Sequence, residues 1–314
     1  MTMRLSVVTS MYNSAPFVAE FCARAAAAAS QLTTEFEIVL VNDGSPDDSL
    51  RRALDVRRRD PRVRVIDLSR NFGHHKALMT GLARARGDLV FLIDCDLEEE
   101  PEWVLAFHEA LTASDADVIY GVQDTRKGRW VERTAGRLFF DVFNRLLTHP
   151  IPANVVTARL MRRPYVDALV QHEDQETFLA GLWALAGFDQ RPVTVHKRSR
   201  STSSYTLRRR ISVFVNAITS FSNRPLLFIF QLGVAVMLLS IAAAGILLYR
   251  SVTGRIGTPG WASVMVSIWF LGGLTIFCVG VIGVYLAKVF TETKKRPYTV
   301  VRGDYGMDQD ERQR

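Results

Sequence analysis

Residues 226–249 and 261–287 are apolar throughout and contain no acidic residue, whereas residues 1–223 mix charged and apolar positions as a soluble protein does. A helix of about 20 apolar residues crosses the roughly 30 Å hydrocarbon layer of a bilayer. The contrast predicts a soluble domain over 1–204, a juxtamembrane amphipathic helix over 205–223, transmembrane helices at 226–249 and 261–287, and a tail over 288–314. Both apolar stretches lie toward the C-terminal end, and the opening "MTMRLSVVTS" lacks a long apolar core, so neither reads as a signal peptide.

Charge supplies the orientation. The chain carries a formal +7, and no acid stands between Asp189 and Glu292. Arg191, Lys197, Arg198, Arg200 and Arg208 to Arg210 crowd before the first apolar stretch, and Lys294, Lys295 and Arg296 follow the second. Basic flanks stay in the cytoplasm, which places the soluble domain and both termini there, leaves 250–260 outside, and makes this an integral inner-membrane protein. The same excess is suited to anionic lipid and not to nucleic acid, because it abuts apolar spans and has no base-stacking aromatics. Cys22, Cys95 and Cys278 are too scattered for a zinc site or a disulfide framework.

Within the soluble part, apolar runs bounded by turn signals ("RLSVVTS", "FEIVLVNDGS", "RVRVIDLS", "DLVFLID", "ADVIYGV") alternate with helix-compatible stretches. Such alternation predicts an α/β fold with a mostly parallel sheet covered on both faces. Ligands of open sheets sit beyond the carboxyl ends of the strands, and "VTSMYN", "VNDGSPD", "LSRNFGHHK" and "IDCDLEEE" all fall at those ends. Pro46 and Pro101 are expected in first helical turns. The segments 129–149 and 205–222 are amphipathic, with arginines opposite apolar faces, and are expected in the headgroup plane.

Two carboxylates two residues apart at a strand end, Asp94 and Asp96, point the same way while Cys95 points the other. Such a pair suits a hard divalent cation with open positions for water and phosphate. Glu98 to Glu100 are expected on a solvated first-turn face. Asp43 in "VNDGS" reads either as a turn-capping aspartate or as a hydrogen-bonding partner for a nucleobase or ribose. His74, His75 and His196 show no metal-ligand spacing and are expected in loop or surface roles.

Together "SVVTSMYN", "IVLVNDGSPDDS", "LSRNFGHHKALMTGLARARGDLVFLIDCDLEEEPE" and "RLMRRPYVDAL" resemble the family 2 glycosyltransferases, in particular the branch that transfers a sugar onto polyprenyl phosphate. The resemblance implies a GT-A (Rossmann-like) domain, a nucleotide-sugar donor that is UDP-linked, Mg²⁺ or Mn²⁺ as cofactor, inversion at the anomeric carbon, and undecaprenyl phosphate as acceptor. It matches Ser10, Tyr12, Asn13, Asp43, Ser45, Gly73, Lys76, Asp94 and Cys95 to nucleotide binding and Asp94 and Asp96 to the metal. Arg133, Arg137, Arg159, Arg198 and Arg200 are the acceptor-phosphate candidates, because a guanidinium fork matches phosphate oxygens. Arg159 is counted with Asp94 and Asp96 among the catalytic residues.

The chain departs from the family where many relatives read N-T-G-D-F-R-L-M, because "NVVTARLM" puts Thr157 at the acidic position. A lipid phosphate already carries a nucleophilic oxygen, so alignment and charge support can replace a base. Two other readings are a processive polysaccharide synthase, which needs a Q-x-x-R-W segment where only "GRW" occurs, and a catalytically silent membrane-anchored binding module. Small residues in both apolar stretches permit close helix packing, within one chain or in a homo-oligomer.

Overall fold

The computed structural model describes residues 3–123, 154–175, 179–197, 224–253 and 260–306. The segments 129–149 and 205–222, with Arg133, Arg137, Arg198 and Arg200, lie outside the described residues.

The expected alternation is present as β1 (Leu5–Met11), α1 (Val18–Leu32), β2 (Phe36–Asn42), α2 (Ser49–Arg59), β3 (Val63–Leu68), α3 (His74–Leu82), β4 (Leu89–Leu92), α4 (Trp103–Thr112) and β5 (Val118–Gln123). Then follow β6 (Val155–Arg162), α5 (Arg163–Val170), α6 (Leu179–Leu185), β7 (Gln190–Val195), α7 (Arg224–Val252), α8 (Trp261–Thr293) and β8 (Val301–Tyr305). All eight strands form one sheet in the order β7-β5-β6-β4-β1-β2-β3-β8. Every residue of β1 and β3 is buried, as near-continuous apolar strands covered on both faces must be. Pairing is parallel from β4 through β1 and β2 to β3 and between β5 and β7, whereas β6 runs antiparallel to both neighbours and β8 to β3.

The chain winds from β1 outward to β3, then returns to place β4 on the other side of β1. Strand order therefore reverses at β1, and the crevice of an open α/β sheet forms at such a reversal. Pro46 and Pro101 precede their helices, which begin at Ser49 and Trp103, rather than occupying first turns.

The chain divides into two compact units: 1–140, 149–205 and 296–314 in one, 141–148 and 206–295 in the other. In the first, Val301–Tyr305, which follows the apolar helices, is a strand of the sheet itself. Sequence patterning left 288–314 as a plain tail, and β8 corrects that. Arg64 grips Asp304 with two bonds of 2.9 and 2.7 Å. Arg302 Nε meets Asp67 Oδ2 at 2.9 Å, and Thr299 and Thr80 share a hydroxyl hydrogen bond of 2.8 Å. In the second unit, α7 and α8 enclose the two predicted spans. Among the described residues, Ser267–Thr293 is the segment long and apolar enough to cross a membrane, with mean hydropathy 2.2, and α7 contributes the shorter apolar run Leu226–Val236.

Candidate functional site

Because β4, β1, β2 and β3 are adjacent and parallel, their carboxyl-end loops stand side by side, and the residues picked out from sequence separate into three linked groups. In the first, Ser45 Oγ accepts from Asn13 N at 2.8 Å and donates to Asp47 Oδ1 at 2.5 Å. Asp47 also accepts from Ala15 N and from the amide and hydroxyl of Ser49. Burial works to raise the Asp47 pKa, yet the hydrogen bonds led by Ser45 and Ser49 outweigh it and hold the carboxyl down at about 2. Asp47 thus ties the loop after β1 to the start of α2. Asn13, at φ +53, turns the first loop, and Tyr12 beside it is 49% exposed.

Asp43 makes the second group. Its two carboxylate oxygens accept from Phe72 N at 2.7 Å and Gly73 N at 3.0 Å, which fixes the loop after β3. Burial raises its pKa against the opposing pull of those bonds. These are not the partners of the turn-capping role read from sequence, because the loop Asp43 holds is the one after β3. A Cβ on Gly44, at φ +58, would lie 2.4 Å from the carbonyl carbon of Arg70, so only glycine lets these loops approach. Gly73 (φ +101) immediately precedes α3, and Lys76 lies in its first turn, half-buried.

The third group surrounds Asp94. Extending the antiparallel register of β4 and β6, in which Leu92 faces Arg159, by two residues sets Thr157 opposite Asp94. Thr157 Oγ1 indeed donates to Asp94 Oδ2 at 3.0 Å. His74 Nε2 stands 3.3 Å from Asp94 Oδ1, and its Nδ1 is 2.8 Å from Ser10 Oγ. His74 is the first residue of α3 rather than a loop residue, and it joins β1 to the D-x-D segment. Asp96 does not continue the strand. It sits in a turn completed by Leu97 at φ +60, and its Oδ1 accepts from Glu98 N at 2.9 Å. Burial raises the Asp96 pKa, the Glu98 amide lowers it, and Asp94 adds to the rise. Cys95, in the same turn, is buried, and burial pushes its thiol pKa well up, so it stays protonated.

The expectation of a solvated face for Glu98 to Glu100 is wrong for Glu99, which is fully buried. Glu99 Oε1 accepts from Thr157 N at 3.1 Å, and Lys197 Nζ lies 3.5 Å from both Glu98 and Glu99. Burial, then the Asp94 charge, push the Glu99 pKa up to about 8. Arg159 is buried as well, with its guanidinium carbon 3.0 Å from the centre of the Trp183 ring. Burial lowers its pKa to about 10, so it remains cationic.

Asp94 and Asp96 fit a divalent ion. Asp94 Oδ1 is buried and accepts no hydrogen bond among the described residues. Both groups offer hard carboxylate oxygen, and no cluster of three or more ligating side chains occurs among the described residues. Two carboxylates with the remaining positions left to water and phosphate is the habit of Mg²⁺ sites.

The "Glycosyl transferase family 2" model matches residues 6–170. A Mycobacterium tuberculosis (strain CDC 1551 / Oshkosh) protein named as a glycosyltransferase is 51% identical over 98% of this chain and 90% of its own length. The bactoprenol glucosyl transferase of Shigella phage SfV is 30% identical over 96% of this chain and 99% of its own. The undecaprenyl-phosphate 4-deoxy-4-formamido-L-arabinose transferase of Sodalis glossinidius (strain morsitans) is 28% identical over 94% and 91%. Among solved structures, S. aureus TarS 1–349 in complex with UDP-GlcNAc superposes with TM-score 0.46 at 20% identity, covering 69% of this chain and 66% of that one. With the doubly wound sheet, the loop cluster at its carboxyl edge and the matched model, this chain belongs to the family 2 glycosyltransferases and has their GT-A, Rossmann-like fold.

Proposed function

We propose that the protein transfers a hexose or N-acetylhexosamine, with inversion, from a UDP-linked sugar to undecaprenyl phosphate at the cytoplasmic face of the inner membrane, making a lipid-linked sugar for cell-surface glycan modification. The observation that carries this reading is the re-entry of the chain into the catalytic sheet as β8 directly after α8. Strands on both sides of the apolar helices hydrogen-bond within one sheet and so share one side of any bilayer. The chain between them must cross an even number of times. With Ser267–Thr293 as one crossing, α7 is the natural second, which supports two spans with the sheet and tail on the basic, cytoplasmic side. A nucleotide-sugar site tethered at both ends to a membrane hairpin suits a water-soluble donor and a lipid acceptor, and relatives named for bactoprenol and undecaprenyl phosphate support that choice.

In the reaction an acceptor phosphate oxygen forms the bond to the anomeric carbon as the bond to the donor diphosphate breaks, and the electron pair leaves with the diphosphate. No proton has to be removed, because a phosphate monoester is largely dianionic near pH 7. Thr157, with its hydroxyl on Asp94, is therefore compatible with turnover. Ser10, Tyr12, Asn13, Asp43, Ser45, Gly73, Lys76, Asp94 and Cys95 are assigned to the nucleotide side of the crevice, Asp43 through the loop it holds and Cys95 through its backbone. Asp94 and Asp96 would hold Mg²⁺ or Mn²⁺, whose contribution is charge neutralisation on the departing diphosphate. Arg133, Arg137, Arg198 and Arg200 are assigned to the acceptor phosphate, whereas Arg159, buried with its guanidinium against the Trp183 ring, is withdrawn from that role.

The test is incubation of the full chain in lipid nanodiscs with Mn²⁺, a panel of labelled nucleotide sugars and undecaprenyl phosphate. A chloroform-soluble labelled lipid is expected from at least one UDP-sugar. Absence of product from every donor overturns the proposal.

A further inference from the structure

Among the described residues, Lys197 is a cation beside the Asp94 group to which no role has been given. Lys197 stands two residues beyond the end of β7, with its side chain only 22% exposed and its ammonium 3.5 Å from both Glu98 Oε2 and Glu99 Oε1. Burial alone would lower its pKa, but the fields of Glu99, Asp94, Asp96 and Glu98 raise it, so all four acids act on this one ammonium. Two buried carboxylate oxygens of the same group, Asp94 Oδ1 and Glu99 Oε2, have no hydrogen-bond partner among the described residues. A buried carboxylate oxygen without a partner is costly unless a cation serves it. Among the described residues, Lys197 faces Glu98 and Glu99 and His74 faces Asp94, so this group holds more carboxyls than nearby cations.

We propose that Lys197 is a positioning residue that acts as the pocket's internal counter-ion before the donor binds and pairs with a diphosphate oxygen of the donor once a divalent ion occupies Asp94 and Asp96. The inference rests on the donor-site reading given above. Two consequences separate it from a purely structural role. An ammonium beside the carboxylates repels an incoming divalent ion, so Lys197 weakens metal binding in the absence of nucleotide. The same ammonium makes a charge-assisted bond to phosphate, so it strengthens nucleotide binding in the presence of metal.

The experiment uses full-length protein in nanodiscs and two ligands alone. Mn²⁺ binding is followed by loss of the free-ion electron paramagnetic resonance signal, and UDP binding by calorimetry at saturating Mn²⁺. Lys197→Met is expected to bind Mn²⁺ about ten-fold more tightly, the order set by removing one like charge a few ångströms away at a partly screened site. It should bind UDP about ten-fold more weakly, and Lys197→Arg should restore most of the UDP affinity. Glu99 is left buried and unpaired in Lys197→Met, so the double variant Lys197→Met with Glu99→Gln is the second arm. In the double variant UDP binding should stay weak, which separates loss of the ammonium from disturbance by a buried acid that has lost its ion-pair partner. Parallel loss of both affinities in Lys197→Met, or no change in either, overturns the inference while the donor-site reading stands. A wild-type protein that binds neither Mn²⁺ nor UDP overturns both.

Discussion

Asp304→Asn should destabilise the catalytic unit, although residue 304 lies beyond the last apolar helix and far along the chain from the nucleotide loops. Asp304 takes both prongs of the Arg64 guanidinium, and the two side chains are only 14% and 7% exposed. Removing one partner of a buried pair costs about 3–5 kcal/mol, because the remaining charge is left without compensation. Two features reduce that figure here. Arg64 keeps a hydrogen bond of 3.0 Å to the Arg84 carbonyl, and asparagine can still accept one of the two lost bonds. A loss of about 2–3 kcal/mol is the expected result, which for a domain of this size lowers the unfolding midpoint by roughly 5–10 °C. The assay is thermal unfolding of the nanodisc-embedded protein followed by tryptophan fluorescence and by protease sensitivity. Asp189→Asn is the control, because the Arg191–Asp189 pair has the same 2.7 Å separation with side chains 50% and 45% exposed, and exposed pairs add little. Arg64→Met combined with Asp304→Leu should recover much of the loss, since an apolar pair leaves no orphaned charge. A midpoint within about 1 °C of wild type for Asp304→Asn would refute the docking of β8, and with it the parity argument for two membrane crossings.

Further outcomes follow from the site. Asp96→Asn should reduce turnover by about 10²-fold or more while leaving the unfolding midpoint intact, since one carboxylate charge at the proposed ion is lost; unchanged turnover in a donor assay would remove Asp96 from the metal assignment. Gly44→Ala should cost about 1 kcal/mol or more in stability and weaken UDP binding measured by calorimetry, because the added carbon meets the Arg70 backbone at a positive φ; a neutral result would mean the two loops are not apposed. Asp47, held at about 2 against an ordinary 3.8, contributes stability that is fully present above the ordinary value and lost as pH falls through the lower one. Asp47→Asn should therefore flatten the acid limb of the unfolding midpoint between about pH 4 and pH 2, and an unaltered limb would contradict the network drawn around Ser45 and Ser49.

The parallel half of the fold was legible because its determinants are local. Mostly apolar runs in β1 to β4, each followed within a few residues by Gly, Asp, Asn or Ser, indicate buried strands, and the loops that follow them must cluster once the strands are parallel. The antiparallel half was not. "NVVTARLMR" carries no signal that it inserts between β4 and β5, and "VRGDY" is too short and polar to read as a strand. Its place is set by Arg64 and Asp304, separated by 240 positions, and no local pattern reports such a pairing.

The same division governs the site. The polar loop at the end of β4 was legible from Asp94 and Asp96, but the extended pair expected there is replaced by a turn through Asp96 and Leu97. Glu99 and Lys197 were missed because burial, not residue type, gives them meaning, and a run of three glutamates is ordinarily a wetted helix start. Here the left-handed turn at Leu97 directs Glu99 inward, beneath strand β6. Once it is there, Thr157 is bound through its amide to one acid and through its hydroxyl to another. The loss of a carboxylate at position 157 is thus accompanied by a buried carboxylate reaching the same backbone from position 99. The carboxyl absent at position 157 thus has a counterpart on the same backbone, and Glu99, whose pKa burial and then Asp94 raise to about 8, has the Lys197 ammonium 3.5 Å away to favour its charged form.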